Sequence, residues 1–437
     1  MTQSSESSRL QKEPPTRAAG GWRDRVLEAG LYFTAASFLA AAGNFLFQIL
    51  MARNLPVAEV GYLNAAMAMV GLLSLPLLEG SRALVWSISR QAERQDEAGL
   101  RRLQARCLKL LKGWTWKLSL AVAVVFWPLA SFFDFPRASL MLVVLLCALA
   151  MMWSAVGQVW CAGRSRFFLQ GNLSMATVAV RLVVGLALVL WIWPQAEAGV
   201  LASLLAAGVF AAVLLGGRGK SAEPQADEAA ALIDPHFRSY LAASLCVGGG
   251  IFLFSQIDML LAQRILPPEV LGIYSKAGVL GRAIVWGAYP VLVVYLTHRA
   301  SRDAPTAQGR RLLVVYAILS AVGVLGVSLL AGPLSMLLAG SGDSPILIGA
   351  QEELTITFAR AMTPVVVLQA VGVYFLATRR LLQSYTFGGL AILYSLVLLS
   401  FATNSVLMLS LIFGAGWGAV LILTLQAVVM WSRAQPW

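Results

Sequence analysis

The chain has 437 residues, of which 59% are hydrophobic and 12% charged. A soluble domain carries about 25% charged residues, so this chain lacks the charge to cover a water-facing surface and reads as an all-α polytopic membrane protein. Its formal charge of +12 does not point to nucleic acid, because most of the Lys and Arg sit between apolar runs, where they set topology.

Residues 1–28 form a cytoplasmic tail, and its first 24 residues are polar, rich in Ser and Pro, and read as disordered. Arg9, Lys12, Arg17, Arg23 and Arg25 precede the first apolar run in the manner of a signal peptide. That run continues to Met51, and about 20 residues suffice to cross hydrocarbon roughly 30 Å thick, so it reads as a signal anchor. The sequence predicts twelve spans. The first six are Leu31–Met51, Gly61–Ser89, Gly113–Phe133, Ala138–Cys161, Asn172–Trp193 and Ala198–Leu215. The basic stretch Arg90–Lys112 reads as a separate amphipathic surface helix. Spans seven to twelve are Phe237–Gln263, Gly272–Thr297, Leu312–Leu330, Leu354–Ala377, Leu382–Phe401 and Val406–Met430. A six-helix lobe over 29–216, a cytoplasmic linker over 217–236 and a second six-helix lobe over 237–437 follow from this count.

The two halves share a break. Arg53-Asn-Leu-Pro-Val-Ala-Glu-Val-Gly61 and Arg264-Ile-Leu-Pro-Pro-Glu-Val-Leu-Gly272 align with Arg53/Arg264, Leu55-Pro56/Leu266-Pro267 and Gly61/Gly272 each 211 positions apart. Lys and Arg concentrate in the connections on the side of the tail and the linker. The opposite side holds Arg53, Arg137 and Arg264. This bias predicts both termini in the cytoplasm. Six spans per repeat give the two copies one orientation, related by an axis along the membrane normal.

Five basic residues fall within spans and resist the topological explanation: Arg82, Arg181, Lys276, Arg282 and Arg360. Lys117 lies near a span end and can snorkel. A basic residue at the centre of a span costs about 2.5–3.5 kcal/mol on insertion scales. Glu79 stands one turn from Arg82, and Asp258 and Lys276 flank the second break at similar depth, so these are the pairs expected. Arg181, Arg282 and Arg360 have no partner in the sequence pattern and are predicted to line a cavity for an anionic ligand, since guanidinium suits phosphate. With Lys276 and Arg82 they form the candidate substrate site. Glu79 and Asp258 are the candidates for gating or ion coupling. Asn44, Gln48, Tyr32, Gln256, Tyr274 and Gln369 fit a wet interior, each as a weak signal. Pro76, Pro290 and Pro364 are expected to kink their spans. Cys107, Cys147, Cys161 and Cys246 lack metal-ligand spacing and read as free thiols. There is no GxxxxGK[ST] phosphate loop, HExxH or Ser-His-Asp pattern, so no cofactor, metal or enzymatic activity is expected.

The two hairpin signatures, Leu50–Tyr62 and Asp258–Tyr274, together with twelve spans in two repeats, are similar to the multidrug/oligosaccharidyl-lipid/polysaccharide (MOP) exporter superfamily. Within it the chain resembles the polysaccharide-biosynthesis flippases of the Wzx type, from about Gly30 to Trp431. The resemblance implies a MATE-like, V-shaped pair of six-helix lobes around a cationic cavity. It implies alternating access in a bacterial inner membrane and a polyprenyl-pyrophosphate-linked oligosaccharide as cargo, for O-antigen, capsule or exopolysaccharide synthesis. Partners would be membrane lipids and polysaccharide polymerase or export proteins. Three alternatives stand beside it. A cation-coupled drug exporter of the same superfamily needs buried acids, and the spans hold more bases than acids. A lipid II flippase typically has fourteen spans. A non-transporting subunit of a polysaccharide export complex fits the same composition.

Overall fold

A computed structural model describes residues 18–92, 97–163, 167–216, 237–300, 306–340 and 343–434. Among these residues every regular element is a helix. The first half forms α1 (Ala18–Asn54), α2 (Val57–Ala92), α3 (Glu97–Phe132), α4 (Ala138–Gly163), α5 (Phe167–Trp191) and α6 (Ala196–Gly216). The second half forms α7 (Phe237–Ile265), α8 (Pro268–Ala300), α9 (Thr306–Leu329), α10 (Ala331–Leu338), α11 (Pro345–Ala361), α12 (Thr363–Ala377), α13 (Leu381–Phe401) and α14 (Ser405–Ala434).

Eleven segments are long and apolar enough to cross a membrane, and α6 adds the shorter apolar stretch Ala196–Val209. In hydrocarbon each backbone N–H and C=O needs an internal partner, which leaves the helix as the spanning element for such sequences. The outer faces confirm the solvent. α9 turns Val314, Ile318, Val322, Leu325 and Leu329 outward, where a water-soluble helix would carry charge. The chain is a multi-pass membrane protein.

Three boundaries differ from expectation. The basic stretch from residue 97 is not a separate surface helix, because it continues without a break into the third span as α3. α1 begins at Ala18, so the end of the predicted tail is helical. The tenth predicted span is two helices, α11 and α12, parted at Met362. Pro364 accounts for the break, since it lacks an N–H and its ring crowds the carbonyl of Arg360 four residues back. The linker over 217–236 lies outside the described residues.

The helices pack in two groups. α1, α2, α4, α5 and α6 contact one another, as do α7, α8, α9, α11 and α13. The groups meet where α2 lies against α7 and α8, and where α1 touches α8. The repeat mates meet on this seam. Asn64 Nδ2 donates to Ser275 Oγ at 2.6 Å, and these residues are themselves 211 apart. Ser275 Oγ in turn donates to Val60 O at 3.2 Å. Gly272 packs so closely on α2 that a Cβ there would stand 2.1 Å from Val57 O, and one on Gly61 would stand 2.7 Å from Leu271 Cγ. Glycine is required for this backbone-to-backbone approach. The seam therefore joins the two halves at the break end of α2 and α8.

Candidate functional site

Below that seam the two groups enclose a cavity of about 840 Å³. α1, α2, α4 and α5 form one wall, and α7 and α8 the other. Its lining on α2 runs from Asn64 to Glu79, a rise of about 22 Å at 1.5 Å per residue. Most of the wall is apolar. The polar exceptions include the amides of Asn44, Gln48, Asn64, Gln158 and Gln256. Three charged side chains reach it: Glu79, Arg181 and Arg282.

Arg181 comes from α5. Its Nη1 donates to Asn44 Oδ1 at 3.0 Å, and its guanidinium lies 4.1 Å from the centre of the Phe47 ring. Nε is buried with no acceptor, and no carboxylate among the described residues pairs with the group. A guanidinium stacked on a ring and held by one amide is positioned but not neutralised.

Arg282 differs from expectation, because it is paired. Its Nη2 bonds Asp258 Oδ2, Nε donates to Ser255 O at 2.9 Å, and the guanidinium lies 5.3 Å from the Phe358 ring. Tyr274 Oη donates to the same Asp258 oxygen at 2.7 Å. Tyr274, Gly278 and Arg282 are four residues apart and share one face of α8. Gly278 makes room, since a Cβ there would stand 2.4 Å from Arg282 Nη1. Depth alone pairs Asp258 with Lys276, and the structure overturns that pairing. Lys276 lies two residues past Tyr274, on the other side of the helix, and pairs with Asp343 at 2.5 Å. Asp343 sits in the short connection before α11, where it also accepts from Gly340 N at 2.8 Å. Lys276 is buried in that pair and does not line the cavity.

Arg360 is exposed on the last turn of α11 and also lies outside the cavity lining. Arg82 falls on α2, but its side chain lies outside the described residues. Glu79 reaches from α2 to α7 at the end of the cavity away from the seam. It is 3% exposed and accepts from Ser244 Oγ on α7 at 3.1 Å. Gly248 forms the notch that receives it, since a Cβ there would lie 2.1 Å from the Glu79 carboxyl carbon.

Of the weaker polar signals, Asn44, Gln48 and Gln256 line the cavity. Tyr274 is spent on Asp258, Gln369 accepts from Tyr316 at 2.8 Å, and Tyr32 bonds Asn172. Asn64 and Gln158 also line the cavity and carry no signal in the spacing, except that Asn64 stands three residues beyond the first break. Arg137, expected as a plain loop residue, reaches Glu59 at 2.6 Å and Glu197 at 3.0 Å, tying α2 and α6 to the start of α4. Cys147 and Cys246 are free thiols.

No protein-family model and no curated protein matches this sequence. Solved structures do. An inward-facing multidrug resistance MATE family transporter of the MOP superfamily matches with a TM-score of 0.58 at 12% identity, over 93% of this chain and 100% of that one. A eukaryotic MATE transporter, AtDTX14, matches at 0.63 with 11% identity, over 92% and 96%. A MOP superfamily transporter from Pyrococcus furiosus, described as having a binding pocket of reverse polarity, matches at 0.55 with 14% identity, over 91% and 95%. The chain has the MATE fold. The likeness covers nearly the whole of each chain, so the helix arrangement as a whole is shared. At these identities it carries the fold and not the cargo.

Proposed function

We propose that this chain is an alternating-access membrane transporter for an amphipathic substrate that carries a negatively charged group, and that Arg181 receives that group. The observation that carries the reading is the Arg181 guanidinium in the cavity, without a carboxylate among the described residues. An intramembrane arginine without a counter-ion is costly, and a bound anion offsets that cost. The apolar remainder of the wall suits the body of the substrate. Rocking of the two helix groups about the α2–α8 seam would expose the cavity to each side in turn.

A lipid-linked oligosaccharide is the cargo this reading favours, with its pyrophosphate on Arg181 and its chain left in the bilayer. The termini then face the cytoplasm of a bacterial inner membrane and the break end faces out, in keeping with the distribution of Lys and Arg. A cation-coupled exporter of organic compounds is the second reading, and two observations favour it. Glu79 lines the same cavity, and Asp258 already engages Arg282, so the lining is less basic than the sequence pattern implied. Matched structures also bear multidrug-transporter descriptions.

Deletion of the gene separates the readings. Accumulated lipid-linked sugars with unchanged tolerance of cationic dyes support the flippase. Lost dye tolerance with no accumulated lipid supports the drug exporter and ends the first reading.

A further inference from the structure

A second concavity lies away from the cavity, on the membrane-facing side between α9 and α12, with a volume of about 590 Å³. Its walls include Leu313, Ala317, Val324, Val366 and Val371. The hydroxyl of Tyr316, at its floor, is turned away. Tyr316 Oη donates to Gln369 Oε1 at 2.8 Å and lies 3.0 Å from Val366 O, so its ring faces the groove and its hydroxyl does not. From Leu313 to Leu325 the groove follows α9 for about 18 Å, and from Thr363 to Tyr374 it follows α12 for about 16 Å. One leaflet of hydrocarbon is about 15 Å deep. The groove thus has the length of one lipid chain in one leaflet.

Its end nearest the start of α9 is basic. Arg310 and Arg311 are exposed there. Arg310 lies three residues before Leu313 and seven before Ala317, on the face that lines the groove. Arg380 follows α12 and holds its guanidinium 5.6 Å from the ring of Tyr374, which lines the same end. α9 and α12 contain no acidic residue to neutralise this end. Apolar walls one leaflet long, capped by arginines at headgroup height, match a chain with an anionic phosphate at its end.

We propose that the α9–α12 groove is a binding site for an anionic glycerophospholipid of that leaflet. The chain lies along Ala317 and Val366, and the phosphate meets Arg310 and Arg380. The site is separate from the transport cavity and does not rest on the transport reading.

Native mass spectrometry of the purified full chain, titrated with dioleoyl phosphatidylglycerol and with dioleoyl phosphatidylethanolamine, tests this. The wild-type protein retains phosphatidylglycerol in preference to phosphatidylethanolamine. A juxtamembrane arginine is worth about fivefold in affinity for anionic lipid, so Arg310→Gln with Arg380→Gln weakens phosphatidylglycerol about 25-fold and leaves phosphatidylethanolamine unchanged. Ala317→Phe with Ala321→Phe fills the groove and weakens both lipids. Variants are compared at matched elution profiles. Should the double arginine variant not elute as folded protein, Arg310→Gln alone, with about a fivefold loss, decides. Equal binding of the two lipids by the wild type overturns the proposal, as does wild-type phosphatidylglycerol affinity in the variants. Displacement of phosphatidylglycerol by an equal concentration of polyprenyl phosphate overturns the assignment to a glycerophospholipid.

Discussion

Replacing Arg282 by Met should destabilise the protein more than replacing Arg181 by Gln. Arg282 and Asp258 form a buried pair with side-chain exposures of 9% and 1%. Truncating one member leaves the other charge uncompensated in a low-dielectric site, which costs about 3–5 kcal/mol. Tyr274 still donates to Asp258, but one neutral hydroxyl does not replace a guanidinium. The double variant Asp258→Asn with Arg282→Met removes the stranded charge and keeps an acceptor for Tyr274, so it should recover about 2–4 kcal/mol of that loss. Arg181→Gln, by contrast, loses one hydrogen bond to Asn44 and a stacking contact with Phe47, for about 1–2 kcal/mol. The assay is thermal unfolding in detergent, followed by tryptophan fluorescence at one scan rate, because unfolding of such a protein is under kinetic control. The expected order of apparent Tm is wild type, then Arg181→Gln and the double variant close together, then Arg282→Met well below both. Equal losses in Arg282→Met and the double variant would refute the reasoning, since the penalty would then not be an unpaired charge.

Other substitutions test the remaining geometry. Gly272→Val must displace Val57 backbone at the seam, so it should abolish transport and lower the yield of folded protein, whereas Gly349→Val, with open space around its Cα, should do neither. Arg137→Ala leaves Glu197, which is fully buried, without its cation and should cost about 2–3 kcal/mol, more than Arg264→Ala, which loses a carbonyl bond to Phe132 and a ring contact. Thermal scans of the two variants side by side check that order. Arg360→Leu should leave transport unchanged and raise or preserve the apparent Tm, because the side chain is exposed on a spanning helix and outside the cavity. A loss of transport in that variant would restore Arg360 to the site.

Most of the fold is legible in the residues. Hydropathy gives the spans, because hydrocarbon allows a helix and little else. The repeat is legible at Gly61 and Gly272, and the structure gives it a purpose, since these glycines are where the two halves touch. The cavity is only partly legible. Sequence position reports depth along a helix well and direction around it poorly. Depth places Lys276 opposite Asp258, whereas the stripe of Tyr274, Gly278 and Arg282, spaced four apart, turns the other cation towards it. Depth likewise grouped Arg360 with Arg181, though one points out and the other in. Asp343 was missed as a partner because it reads as a connecting residue, yet it folds back onto Lys276. The break at Met362 was foreshadowed by Pro364, while the single tenth span hid that it divides two helices.

The role of Arg181 is tested most directly by complementation of a strain lacking this gene, with lipid extracts read by mass spectrometry. The account predicts that the deletion accumulates an amphipathic, phosphate-bearing lipid and that the wild-type gene clears it. Arg181→Gln, present in the membrane at the wild-type level, should leave it accumulated. Clearance by Arg181→Gln at the wild-type rate would contradict the account.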